Sequence, residues 1–285
     1  MKSKLIGQLK AHGACAVGIV RARLFSELEI VLNKRGRTAL CEPDTEKRIN
    51  PFLLMPEAKS IAVCLFSYYT GIKTNISEYA LGLDYHRVLK IKMEAAASVL
   101  TDSGYKAQIY ADTSPLNDRY LAYLAGLGFI GKNGMLINEK YGSMTFIGYI
   151  ITDCFLDEDK PLENNACIGC GKCIKACPGR AIGENYEFDE NKCVSFLTQK
   201  KGELTEQEKN IIKSSGYAWG CDICQKICPY NKSVPHTEIG EFSDVITSID
   251  LPEGISNKEF MRLYGSRAFA WRGKAVLKRN LELFK

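Results

Sequence analysis

An α+β fold with α/β-like alternation, followed by a small cysteine-rich module, is what this 285-residue chain predicts. Three observations carry that prediction. Short apolar runs alternate with helical periodicities across residues 1–160. Cysteines then crowd into a module over residues 161–235. Residues 236–285 turn basic and regain helical signals.

Residues 2–12 read as a helix, and Ala14–Val20 and Ser60–Tyr68 read as short buried strands. From His86 to Leu100 the apolar positions Val88, Leu89, Ile91, Met93, Ala95, Ala96 and Leu100 follow a helical period, closed by Ser103-Gly104. Ala107–Ala111 is a short strand. After it, Asp112-Thr-Ser-Pro115 predicts Ser114 as an N-cap, with Pro115 opening a helix through Leu116–Leu127. Met135–Asn138 and Met144–Thr152, joined across Glu139–Ser143, predict a hairpin. Gly126-Leu-Gly128-Phe-Ile-Gly131 matches a dinucleotide-binding pattern, but that pattern needs a strand before it and a helix after it. Here a helix precedes and a strand follows, so the glycines are expected to serve a tight helix exit. Leu204–Ile212 reads as an exposed helix, and Asn257–Leu263 and Ala275–Leu283 as two more.

Hydrophobic residues at 46% and charged residues at 25% are ordinary for a soluble globular protein. The N-terminal decapeptide interrupts its apolar residues with lysines, unlike a signal peptide. No apolar run approaches the roughly 18 residues of a membrane span. The expectation is a cytoplasmic protein with no membrane partner. The net charge is +5. Its basic excess gathers at Arg262, Arg267, Arg272, Lys274, Lys278, Arg279 and Lys285, against the single acid Glu282. Such a tail could meet phosphates, or it could be a solvated helix face.

The chemistry lies in Cys167-Ile-Gly-Cys170-Gly-Lys-Cys173-Ile-Lys-Ala-Cys177-Pro178. Three cysteines three residues apart, a fourth four residues later and a closing proline are the ferredoxin spacing for a [4Fe–4S] cluster, the fourth ligand reaching to a second cluster. The partners are Cys193 and then Cys221-Asp-Ile-Cys224-Gln-Lys-Ile-Cys228-Pro229. The inferred sets are Cys167, Cys170, Cys173 with Cys228, and Cys193, Cys221, Cys224 with Cys177. A pair of zinc sites is the competing reading, although zinc usually takes separated pairs. Cys15, Cys41, Cys64 and Cys154 remain, and are expected to be buried free thiols in a reducing compartment.

The chain resembles the epoxyqueuosine reductase family. The resemblance rests on Glu42-Pro-Asp-Thr-Glu-Lys-Arg48, Leu83-Asp-Tyr-His86, Asp112-Thr-Ser-Pro115, Ala125-Gly-Leu-Gly-Phe-Ile-Gly-Lys-Asn133, Cys193-Val-Ser-Phe-Leu-Thr-Gln199, Gly220-Cys-Asp-Ile-Cys-Gln225 and Trp271-Arg-Gly273. It implies a nitroreductase-like cobalamin-binding domain over 1–160, a two-cluster ferredoxin-like domain over 161–235 and a basic helical segment over 236–285. It further implies Asp112 as the catalytic acid, with Arg48, Asp112, Leu136, Ile147, Ser195 and Lys201 approaching the cobalamin and Gln199 nearby. His86 is not expected to ligate cobalt, since the family holds its corrinoid without a protein histidine.

Two departures accompany the resemblance. Full-length members continue into helical repeats that help grip tRNA, whereas this sequence stops at Lys285, and some members carry a cysteine near the cobalt where this chain has Ser77. The implied reaction is reduction of epoxyqueuosine in tRNA by a monomer fed by an external one-electron donor such as a flavodoxin or ferredoxin. Two rivals stay open: a corrinoid reductase of a small molecule, and a ferredoxin-like electron carrier without corrinoid.

Overall fold

A computed structural model describes residues 1–35, 42–163, 166–249 and 251–285. Cys41 lies outside the described residues. The chain divides by contact into two units. The first comprises Met1–Ser67, His86–Gly131 and Met135–Cys167, and the second Tyr68–Tyr85, Lys132–Gly134 and Ile168–Lys285. This division differs from the three linear segments read from the sequence. Tyr68–Tyr85 is drawn into the second unit by main-chain bonds: Ser77 N–H donates to Trp219 O at 2.8 Å, Ala218 N–H to Asn75 O at 2.7 Å, and Asp84 N–H to Ser266 O at 2.7 Å.

The first unit is built on an antiparallel sheet in the order β1-β2-β6-β3. Its strands are β1 (Ala16–Arg21), β2 (Ser60–Ser67), β3 (Ala107–Tyr110) and β6 (Thr145–Thr152), while β4 (Phe129–Ile130) and β5 (Leu136–Ile137) pair separately. Every position of β2 is buried, so the sheet is covered on both faces. Ile61, Val63 and Leu65 alternate into one core with Phe25, Leu121 and Tyr149. Cys64 faces the other way, its thiol 3.5 Å from the Met93 sulfur. Gly148 pairs with Cys64 across the sheet, and a Cβ there would meet Met93 Cε at 2.7 Å. Glycine in mid-strand therefore makes room for a helix.

The helices of this unit are α1 (Lys2–Ala11), α2 (Ser26–Arg35), α3 (Thr45–Ile49), α4 (Tyr85–Thr101) and α5 (Asp118–Leu124). Two expectations are corrected. The N-cap of α5 is Asn117, whose side chain accepts from Tyr120 N–H at 3.1 Å, so Ser114 and Pro115 lie in the preceding loop. The expected hairpin does not form, because β5 pairs with β4 while β6 lies between β2 and β3. The glycine pattern does close a helix: Gly126 N–H bonds to Tyr123 O and Leu127 N–H to Ala122 O, each at 3.0 Å, with Gly126 at φ 70°. That is a Schellman ending, and it needs the left-handed freedom of glycine.

The second unit contains α6 (Lys172–Ala176), α7 (Val194–Leu197), α8 (Glu206–Ser215), α9 (Ile223–Lys226), α10 (Gly240–Ser243), α11 (Asn257–Tyr264) and α12 (Lys274–Glu282). Its core gathers around fully buried Trp219 and Phe269 with Phe260 and Leu277, and a smaller cluster joins Leu197, Leu204 and Ile212. Thr205 and Glu208 form a capping box on α8, and Gly216 ends it. Of the remaining cysteines, Cys64 and Cys154 are buried and free, while Cys15 is only half-buried. Among the described residues no helix is long and apolar enough to cross a membrane.

Candidate functional site

In the first unit the chemistry gathers on the loop from β3 to α5. Asp112 adopts φ 55°, one of three non-glycine residues in that region among those described. A side chain pays for such a conformation, and it persists only where the surroundings impose it. The Asp112 side chain is 67% exposed, with a carboxylate oxygen 3.9 Å from His86 Nε2 on the first turn of α4. The burial expected of a proton-donating acid is therefore not supplied by this unit.

Asp118 lies beneath, half-buried at the start of α5. Burial foremost, and then the neighbouring Asp112 charge, push its carboxyl up to about 8. Arg119 opposes that shift, as does the Asp112 main-chain N–H, which donates to the Asp118 carboxyl. Tyr149 is buried, its hydroxyl bonded to Ser114 and its ring 5.5 Å from Tyr110. Burial raises its phenol well above the usual range.

Arg48 occupies the last turn of α3, a helix capped by Asp44, which accepts Glu46 N–H at 2.9 Å. Glu42 in turn accepts Asp44 N–H at 3.0 Å, so this segment braces itself and presents Arg48 half-buried. Leu136 is buried within the main core, and Ile147 packs against it from β6. Asp112, Arg48, Leu136 and Ile147 thus share one unit, with the two apolar side chains facing the core.

In the second unit α6 packs against α9, which juxtaposes the two halves of the duplicated cysteine motif. Cys177 caps the end of α6 and Cys224 lies within α9. Cys177, Cys193, Cys221 and Cys224 are electrostatic neighbours, the set that the cysteine spacing assigned to one cluster. Burial raises the thiols of Cys193 and Cys224, and pushes that of Cys221 up to about 12. Among the described residues no three His, Cys, Asp or Glu side chains converge tightly enough to hold a metal ion. Cys170, Cys173 and Cys228 also lie in this unit, while Cys167 is the last residue of the first.

Ser77 is fully enclosed, its hydroxyl bonded to Asp222 between Cys221 and Cys224, and Glu78 N–H donates to the other Asp222 oxygen at 2.8 Å. Ser195 lies in α7, where its carbonyl accepts from Gln199 Nε2 at 2.8 Å, and Lys201 is exposed beyond it. Three of the seven basic residues of the tail are bonded to main-chain carbonyls. Arg267 donates to Leu81 O at 3.1 Å and Arg279 to Lys200 O at 2.8 Å and Gly202 O at 2.6 Å, while Lys274 binds Ile255 O. These three residues are thus engaged by main-chain carbonyls.

Residues 48–113 match the family described as epoxyqueuosine reductase QueG, DUF1730, and residues 166–231 match a 4Fe-4S double cluster binding domain. An epoxyqueuosine reductase of Bacillus cereus is 34% identical, the alignment covering 98% of this chain and 78% of the relative. The chain belongs to the epoxyqueuosine reductase family. A crystal structure of epoxyqueuosine reductase with a tRNA-Tyr epoxyqueuosine-modified stem loop superposes with a TM-score of 0.91 at 32% identity, covering 99% of this chain and 80% of that one. An epoxyqueuosine reductase from Bacillus subtilis, with its aspartate catalytic loop swung out of the active site, superposes at 0.89 with 32% identity and the same coverage. The double-cluster match makes this family member an iron–sulfur protein.

The sequence missed Asp118. Its one signal was a second acid within six residues of Asp112, and only the folded loop shows why that spacing matters.

Proposed function

We propose that this chain reduces epoxyqueuosine to queuosine in tRNA, using two [4Fe–4S] clusters and a cobalamin, with Asp112 as the proton donor. The observation that carries the reading is Asp112 itself: a strained, solvent-facing carboxyl on a short loop within the residues that match the reductase family. Backbone strain of this kind is a pointer to a functional position. Converting an epoxide to an alkene and water consumes two electrons and two protons. Clusters pass electrons singly, which suits such a reaction to delivery by an external one-electron carrier such as a flavodoxin or ferredoxin. The chain acts as a monomer in this reading, in the cytoplasm, where thiolates stay reduced and tRNA is at hand.

The residues present fit a corrinoid. In the first unit, half-buried Arg48 offers a polar group to the amides that rim such a ring. Leu136 and Ile147 face the main core, so their share would be to fix the strands that carry them. A bound cobalamin supplies a strongly reducing, nucleophilic centre for the epoxide carbon. The protein's share is to orient the substrate, to exclude water and to hold a proton on the Asp112 carboxyl as the oxygen leaves. Covering of the exposed carboxyl by cofactor and substrate would supply the desolvation that a proton donor needs. A loop able to swing, as in the Bacillus subtilis relative, would carry Asp112 into and out of that cover.

The test is turnover on an epoxyqueuosine-modified tRNA stem loop after anaerobic reconstitution with iron, sulfide and cobalamin. Mass spectrometry of the released nucleoside should show loss of one oxygen. Asp112→Asn should lower the rate roughly 10²- to 10⁴-fold with iron and cobalamin contents unchanged. No conversion by the native protein despite bound cobalamin would move the substrate to a small molecule. Iron without retained cobalamin would leave an electron carrier.

A further inference from the structure

We propose that Asp118 is the positioning residue of the Asp112 loop: its carboxyl, fixed at the start of α5, receives the Asp112 main-chain N–H and holds the acid in its left-handed conformation. The inference rests on the reading of Asp112 as the proton donor. A non-glycine residue at φ 55° must be over-determined by its neighbours, and the loop supplies a series of braces. Thr113 Oγ1 accepts Ala111 N–H at 3.4 Å, and Ser114 Oγ accepts Leu116 N–H at 3.0 Å while meeting the Tyr149 hydroxyl. Asn117 accepts Tyr120 N–H and so fixes where α5 begins. That start sets the position of Asp118, which reaches back across the loop to the strained residue itself.

The chemistry of the brace suits the residue it serves. The ionisable and charged groups around Asp118 are Asp112, Arg119 and the Tyr149 phenol; Tyr110 lies against Tyr149, and His86 approaches Asp112 from α4. With its carboxyl pushed up to about 8, Asp118 accepts the N–H as a neutral acid at neutral pH. It therefore steadies Asp112 without setting a second negative charge beside it. Above that pH the two carboxylates repel, with Arg119 as the opposing cation, and the loop loosens. An aspartate serving only the helix N-terminus would instead be stabilised in its charged form and would show no such step.

Two variants separate the roles. Asp118→Asn keeps an acceptor and cannot ionise, whereas Asp118→Ala removes the acceptor. Hydrogen exchange of residues 111–117, corrected for intrinsic rates, is measured on the cluster-loaded protein without substrate, on both sides of pH 8. Turnover on the modified stem loop is measured in parallel. Asp118→Ala should speed exchange in this segment about tenfold and lower kcat roughly 10- to 100-fold with KM unchanged. Asp118→Asn should match the native protein at neutral pH and lack its alkaline rise in exchange. An Asp118→Ala protein with native exchange and turnover, or an Asp118→Asn protein that keeps the alkaline step, overturns the proposal. Full turnover by Asp112→Asn would sink the acid reading alone, since the exchange measurement judges the brace without it.

Discussion

Gly220 shows how closely single residues are fitted around the second cysteine motif. It adopts φ 65°, and a Cβ there would lie 2.5 Å from Ser77 Cβ. Ser77 cannot yield, because its hydroxyl satisfies Asp222, a fully buried carboxyl between two cysteines. Gly220→Ala should cost about 1–3 kcal/mol through strain and overlap. A lowered thermal midpoint with fewer irons per chain would register it, and a native midpoint would refute the fit. The same enclosure gives serine at position 77 a structural role, a point only the fold could make. Glu78 beside it gives a pH signature. Burial, reinforced by Asp222, raises its carboxyl to about 7. In the unfolded chain it ionises from about 4.5, so between these values the folded state holds a proton that the unfolded state has lost. Stability therefore falls as pH rises across that window and levels off above it. Glu78→Gln should gain on the native protein through the same interval, and a stability difference independent of pH would contradict the assignment. The eight cysteines proposed as cluster ligands stand out by spacing alone, because a covalent ligand set imposes its own arithmetic on the chain. Asp118 does not, since its role exists only where a loop returns it to Asp112.

Elements were legible where periodicity or punctuation acts locally. The apolar period of α4 and the glycine exit of α5 needed no tertiary information, and both formed as read. Local signals failed where partners compete. Ser-Pro suggested an N-cap, but Ser114 instead accepts Leu116 N–H in the preceding loop, and α5 starts at Asn117, which accepts Tyr120 N–H. Turn residues between β5 and β6 suggested a hairpin, yet β6, buried at most of its positions, takes a central place in the large sheet between β2 and β3. The basic C-terminal helix is a further case: its charge suggested a surface role, but its anchor is the neutral Asn280. That side chain is fully buried and donates to Thr198 O at 2.7 Å and Ala218 O at 2.8 Å, tying α12 to the end of α7 and to the residues just before Cys221. Arg279 clasps its carbonyl oxygen at 2.9 Å. Asn280→Ala should strand two buried carbonyls and cost roughly 2–4 kcal/mol. Denaturant titration would measure the loss, and a change below about 0.5 kcal/mol would mean the helix is held by its apolar face alone.

At the scale of the whole molecule, the two units draw stability from different sources. The first has a sheet whose central strand is buried at every position and helices packed on both of its faces. In the second, the segment carrying the first cysteine run is nearly all surface: among described residues 166–180, Gly179 alone is buried. Its helix α6 has five residues and its counterpart α9 four, lengths at which a helix is not stable by itself in water. The apolar clusters of that unit lie around Trp219 and Leu197, with no member in the 166–180 segment. As proposed cluster ligands, the cysteine loops are expected to take their order from the metal, since binding free energy to a site that the unliganded chain does not hold becomes folding free energy. Anaerobic chelation of iron from the reconstituted protein should raise hydrogen exchange sharply in residues 166–180 and 220–231. Over the same treatment β2 and β6 should keep their protection, because their hydrogen bonds and core owe nothing to iron. Equal protection of the cysteine segments with and without iron would mean that packing alone fixes them. The clusters would then be guests in a preformed frame, and removing them would cost electron transfer but not structure.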